Sequence, residues 1–133
     1  MINLAYIAAG GAIGSVLRYL MQGWVQRVAG PWITNLMGAW FPLGTLAVNL
    51  SGCLVIGLLT ALLAGPVPLR EEHRLGLTVG VLGGFTTFST FGLETYNLSV
   101  EGHYALAMLY VAASCSLGLA GVWLGHRVVS VFV

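Results

Sequence analysis

The chain has no lysine and no aspartate, and its only full charges are five arginines and four glutamates in 133 residues. Charged residues make up 7% of it, where a soluble domain carries about a quarter. The formal net charge of +1 offers no basic face to a nucleic acid, so no nucleic-acid partner is expected. Cysteine is equally sparse. Cys53 and Cys115 both fall inside apolar runs, with no metal-ligand spacing and no disulfide framework around them. No nucleophile–base pair stands out, so an enzyme is not expected. The opening run MINLAYIAAGGAIGSVLRY has no basic stretch ahead of its apolar residues. That argues against a cleaved signal peptide and for a first membrane span.

What is present is hydrophobic: 58% of the residues, with a mean hydropathy of +0.92. Four apolar segments stand out, at about residues 3–25, 43–64, 75–98 and 104–124. Each has about the 20 residues needed to cross a hydrocarbon core. Long continuous apolar runs favour helices over strands. The expected fold is a single transmembrane domain over residues 1–133, all-α, with four spans and both ends on one side of the bilayer. Residues 28–42 read as the longest loop, uncharged and resting at the interface. Residues 65–74 read as a polar surface turn with Pro66 and Pro68, and residues 99–103 as a tight link. Trp24, Trp32, Trp40, Tyr96 and Tyr104 fall near one membrane face, Tyr6 and Trp123 near the other, as an aromatic belt requires. Arg70, Arg74 and Arg127 stand on the side of the termini and Arg27 on the other. This small bias permits insertion in both directions.

The third segment carries GVLGGFTTFSTFGLETY, residues 80–96. Gly83 and Gly84 favour a break, expected near 83–88. Thr86, Thr87, Ser89 and Thr90 add hydroxyls that compete for backbone partners. Lipid cannot satisfy freed backbone groups, so a broken polar stretch at membrane depth lines a cavity or lies buried in protein. Phe88 and Phe91 share a face once the helix resumes. As core or lipid-facing rings they need no function, but a ring edge is positive and can meet an anion.

Other residues are costly to place in a membrane. Arg18 lies well inside the first span, where an arginine costs about 2.5–3.5 kcal/mol on insertion scales. It either snorkels to the interface or supplies a fixed positive charge. Asn49 lies mid-way along the second span, on one stripe with Thr45 and Cys53. It is either interhelical glue or an N–H donor to a dehydrated anion. Glu94 follows in the resumed helix, where a bond to a neighbouring helix is the default. Tyr110 and Ser114 are one turn apart in the fourth span, able to line one path. Glycine pairs such as Gly10 with Gly14, and the ridge Gly76, Gly80 and Gly84, let backbones approach closely.

GGAIGSVLRY, GTLAVNLSG and GGFTTFSTFGLET, in that order over four short spans, resemble the CrcB/Fluc family of bacterial fluoride channels. The resemblance implies a passive fluoride-selective channel that exports cytoplasmic fluoride through the inner membrane. It implies an antiparallel, dual-topology homodimer with two pores. It assigns fluoride contacts to the ring edges of Phe88 and Phe91, the Asn49 amide, and the hydroxyls of Ser89 and Thr90. Arg18 falls at the pore vestibule, and Tyr110 and Ser114 on a polar track; Glu94 is carried over without a set role. The carbonyls of Gly83 and Thr86 would hold a structural sodium ion on the two-fold axis, with no organic cofactor. Two departures stand out. The 28–42 stretch is longer and more aromatic than the family pattern, and Gly118 stands where a hydroxyl residue is expected.

Two other readings compete. A small four-helix multidrug/proton antiporter needs a carboxylate in its first span, where this chain has Arg18 and no acid. A non-transporting scaffold subunit explains the glycines but leaves Arg18, Asn49 and the hydroxyl run without a purpose.

Overall fold

The computed structural model describes residues 1–64 and 69–131. Helix α1 is Ile2–Met37 and α2 is Leu43–Ala64. The third span opens with α3 (Glu71–Leu75), continues as a π-helical stretch (Gly76–Leu82) and closes its first half with α4 (Gly83–Phe85). It resumes as α5 (Phe88–Val100), and α6 (Tyr104–Ser130) is the fourth span. Among the described residues, four helical stretches are long and apolar enough to cross a membrane, making this a multi-pass membrane protein.

The expected loop at 28–42 needs correction. Residues 28–37 are not loop. Helix α1 runs on to Met37 with Pro31 inside it, leaving only residues 38–42 as a linker. Membrane helices tolerate an internal proline because neighbouring groups satisfy the backbone it frees. The extension is also held by packing, since Ile33 and Met37 lie against the core around Phe41 and Tyr110. It ends at Gly38, whose φ of 74° is left-handed and whose N–H closes on the Thr34 carbonyl at 2.9 Å. At 36 residues and about 1.5 Å per residue, α1 is about 54 Å long, well beyond a hydrocarbon core of about 30 Å.

The break lies inside the expected 83–88, though not at its two glycines. Gly83 and Gly84 are helical, and the chain leaves the helix at Thr86 (ψ 156°) and Thr87 (φ −148°). Gly84 serves contact instead. A methyl group there would stand 2.5 Å from the Gly11 carbonyl oxygen. Gly10 and Gly14 of α1 meet the carbonyls of Gly76 and Val81 in the same way, so α1 and the third span lie backbone against backbone. Helices α2 and α6 pair in parallel with a constant register. Thr45 faces Tyr110's partner Glu94, Cys53 meets Gly118, and Gly57 meets the Val122 carbonyl. The main hydrophobic cluster, Phe41, Leu46, Leu98, Ala107 and Tyr110, fills the end of the bundle beside the 38–42 linker. Of the expected polar turn, residues 65–68 lie outside the described residues.

Candidate functional site

The site is built on the opened backbone. In an unbroken helix the Thr87 N–H would close on the Gly83 carbonyl. Here it donates to Asn49 Oδ1 at 2.9 Å, and Asn49 Nδ2 donates back to the Thr87 carbonyl at 3.1 Å. The Asn49 amide therefore splints the break with both its functions. Among the described residues, one of its two N–H hydrogens remains uncommitted. Thr86 stays tied to the first half-helix, its hydroxyl donating to the Leu82 carbonyl at 3.0 Å. Thr87 starts the second half. Its Oγ1 accepts from the Thr90 N–H at 3.2 Å, an N-cap, and donates to Thr90 Oγ1 at 2.9 Å.

A groove of about 440 Å³ opens beside this break. Asn49, Cys53, Thr86, Phe88, Phe91 and Ser114 are among its lining residues. The Phe88 and Phe91 rings stand 5.6 Å apart, centroid to centroid. Phe88 is 83% exposed, so its ring projects from the chain, whereas Phe91 is half-buried behind it. Ser114 Oγ is buried without a hydrogen-bond partner among the described residues, which makes it a free polar group on the groove wall.

Glu94, Tyr110, Ser89, Thr90 and Arg18 are not on that wall. Glu94 and Tyr110 form a separate buried network. Thr45 Oγ1 donates to Glu94 Oε1 at 2.7 Å, and the Tyr110 hydroxyl donates to Glu94 Oε2 at 2.8 Å. Tyr110 and Ser114, one turn apart, thus serve different places: Ser114 faces the groove, and Tyr110 points into the core. The two places communicate through packing, because the Tyr110 ring lies 5.1 Å from Phe91. Ser89 is exposed next to the break, with Thr90 one position further on. Arg18 is half-buried one turn beyond Gly14, with no ion-pair partner among the described residues.

Sequence reasoning passed over Gln22 and Gln26. Gln22 Nε2 donates to Thr45 Oγ1 at 3.0 Å; Gln26 Nε2 donates to the Phe41 carbonyl at 3.1 Å and its Oε1 accepts the Gly44 N–H at 3.0 Å. The signal was two glutamines one turn apart in an apolar run. It reads as the rim of a loop while the first span is ended near residue 25. The role of Thr87 as a hinge, tied to Asn49 on one side and Thr90 on the other, was likewise invisible without the tertiary contact.

The Gly83 carbonyl loses its helical donor, the Thr87 N–H, to Asn49, and Gly83 is exposed.

A bundle of spanning helices with one span opened at membrane depth defines a discontinuous-helix, multi-pass membrane protein, the architecture that gathers polar backbone where a path needs it. More particularly, the chain belongs to the CrcB family: the profile described as "CrcB-like protein, Camphor Resistance (CrcB)" matches residues 5–126. It is 49% identical over 125 residues to the "Fluoride-specific ion channel FluC" of Agrobacterium fabrum, covering 94% of each chain. It is 46% identical to the proteins of that name from Rhizobium johnstonii, over 96% of each chain, and Geobacter sulfurreducens, over 94% of each.

Proposed function

We propose that this chain is a fluoride-selective passive channel that exports cytoplasmic fluoride across the bacterial inner membrane, as an antiparallel homodimer with two pores. The observation that carries the reading is the opened backbone at Thr86–Thr87, splinted by Asn49 beside Phe88 and Phe91, in a chain whose relatives are named fluoride-specific channels.

The chemistry follows from the groups in place. Fluoride is small and strongly hydrated, so a path must replace its water shell at close range. The uncommitted Asn49 N–H and the Ser114 hydroxyl can donate to it, and the ring edges of Phe88 and Phe91 add positive edge charge. Ser89 and Thr90 hydroxyls serve next to the break, and Arg18 supplies a fixed positive charge that draws anions to the mouth. Tyr110, tied to Glu94, backs Phe91 from the core side. The groove is open on one side in a single chain, and lipid cannot close a polar path. A second copy closes it, which is the physical case for the dimer. The near-balanced arginines are compatible with opposed insertion of the two copies. Gly83 and Thr86 carbonyls from both copies would hold a sodium ion on the two-fold axis, where it supplies positive charge that joins the two breaks.

The antiporter reading has little to stand on. The carboxylate buried among the described helices is Glu94, engaged by two hydroxyls away from the groove.

The test is efflux from liposomes holding the purified protein, followed with a fluoride electrode under a potassium-ionophore voltage clamp. Fast fluoride efflux with little chloride efflux is expected. A folded, dimeric sample that moves no fluoride overturns the reading.

A further inference from the structure

The hydrogen-bond chain that reaches Phe91 starts on α1. Gln22 donates to Thr45, Thr45 to Glu94, and Tyr110 to the other oxygen of the same carboxylate. Tyr110 then packs on Phe91, and Phe91 on Phe88. All four spans contribute.

The weak point of such a chain is the threonine. A hydroxyl has one hydrogen and rotates freely. A threonine in a helix ordinarily turns that hydrogen to the carbonyl one turn earlier, which for Thr45 is Phe41. That acceptor is already filled: the Phe41 carbonyl receives the Leu43 N–H at 2.8 Å and Gln26 Nε2 at 3.1 Å, using both lone pairs. Gln22 meanwhile donates into a lone pair of Thr45 itself. Among the described residues the Thr45 hydrogen goes to Glu94 Oε1, at 2.7 Å.

We propose that Gln22, backed by Gln26, is a positioning residue for ion permeation: it fixes the direction of the Thr45 hydroxyl, and so the carboxylate of Glu94 and the tyrosine that backs Phe91. The inference rests on the channel reading above. The competing account is that Gln22 only glues α1 to α2, in which case its loss affects stability and not the groove.

The two accounts order the variants differently. Gln22→Met keeps the length and removes the donor. Gln22→Glu keeps a polar group but sets two acceptors around one hydrogen. Positioning predicts fluoride efflux in the order wild type, Gln22→Met, Gln22→Glu, with Gln22→Met lower by about threefold to tenfold, the range one net hydrogen bond spans. Glue predicts that both variants conduct like wild type per folded dimer and that only their melting temperatures fall. Positioning also predicts that Gln22→Met causes no further loss of flux once Thr45→Val has removed the hydroxyl. All samples are run as dimers of the full chain in liposomes. Gln22→Met conducting like wild type, Gln22→Glu conducting better than Gln22→Met, or equal losses on both backgrounds would each overturn the inference while wild-type flux leaves the channel reading intact. A wild type without fluoride flux overturns both.

Discussion

Asn49 is the residue on which the site turns. Its amide holds Thr87 by two hydrogen bonds and keeps one hydrogen for the groove. Asn49→Asp retains the acceptor for the Thr87 N–H but loses the donor and brings a negative charge to an anion path. Fluoride efflux is expected to fall at least tenfold while the protein still purifies folded; unchanged efflux would make Asn49 a splint only. Asn49→Leu leaves both backbone groups of Thr87 unpaired, at a cost of about 1–3 kcal/mol each, and thermal unfolding in detergent is expected to show it. The two phenylalanines separate in the same way. Phe88 is exposed and Phe91 is packed against Tyr110. Phe88→Ile is therefore expected to lower fluoride flux with little change in the stability of the chain. Phe91→Ile lowers flux and also destabilises by about 1–2 kcal/mol, the usual scale for a change of shape in a packed site. Parallel efflux and melting measurements on the two variants check the difference.

At the scale of elements, the packing of α1 on the third span is decided by missing side chains. A Cβ at Gly14 would run into the Val81 carbonyl and press on the Phe85 N–H, both of them backbone atoms that cannot turn aside. Gly14→Ala is expected to destabilise by about 1–3 kcal/mol, the range for overpacking. Gly11→Ala, whose new methyl would meet nothing within 4 Å, is the matched control and is expected to leave the melting temperature unchanged. The glycine spacings were legible in the sequence, and so was their use in packing. The stretch that holds the break, 83–88, was legible too, but not which of its residues open. Glycine is permissive and does not itself open a helix; the opening sits at Thr86–Thr87, where Asn49 offers the backbone a better partner. The end of α1 was misread for a related reason. A proline and a glycine in an uncharged stretch look like loop, and only the packing of Ile33 and Met37 on the Phe41 cluster keeps residues 28–37 helical.

For the whole molecule, the exposed Phe88, Gly83 and Ser89 around the break form a face that a single chain leaves open. The proposed opposed insertion of two copies gives a direct expectation. With Cys53 and Cys115 replaced by serine, a cysteine in the exposed turn at Glu101 should label from both sides of the cell membrane in comparable amounts. Labelling from one side alone would exclude the dual-topology dimer. Composition and pattern by themselves determined that this is a four-span helical membrane protein, because nearly uncharged runs of about 20 residues have few other places to go. They also determined which residues are costly enough at membrane depth to need a purpose: Arg18, Asn49, Glu94 and the hydroxyl run. Only the tertiary structure decided how these divide, with Asn49, Phe88, Phe91 and Ser114 at the groove, Glu94 and Tyr110 in the core, and Gln22 behind them. A hydrogen-bond partner is chosen by distance in space, and the partners of Asn49 and Glu94 lie on other helices, 38 and 49 residues away for Thr87 and Thr45.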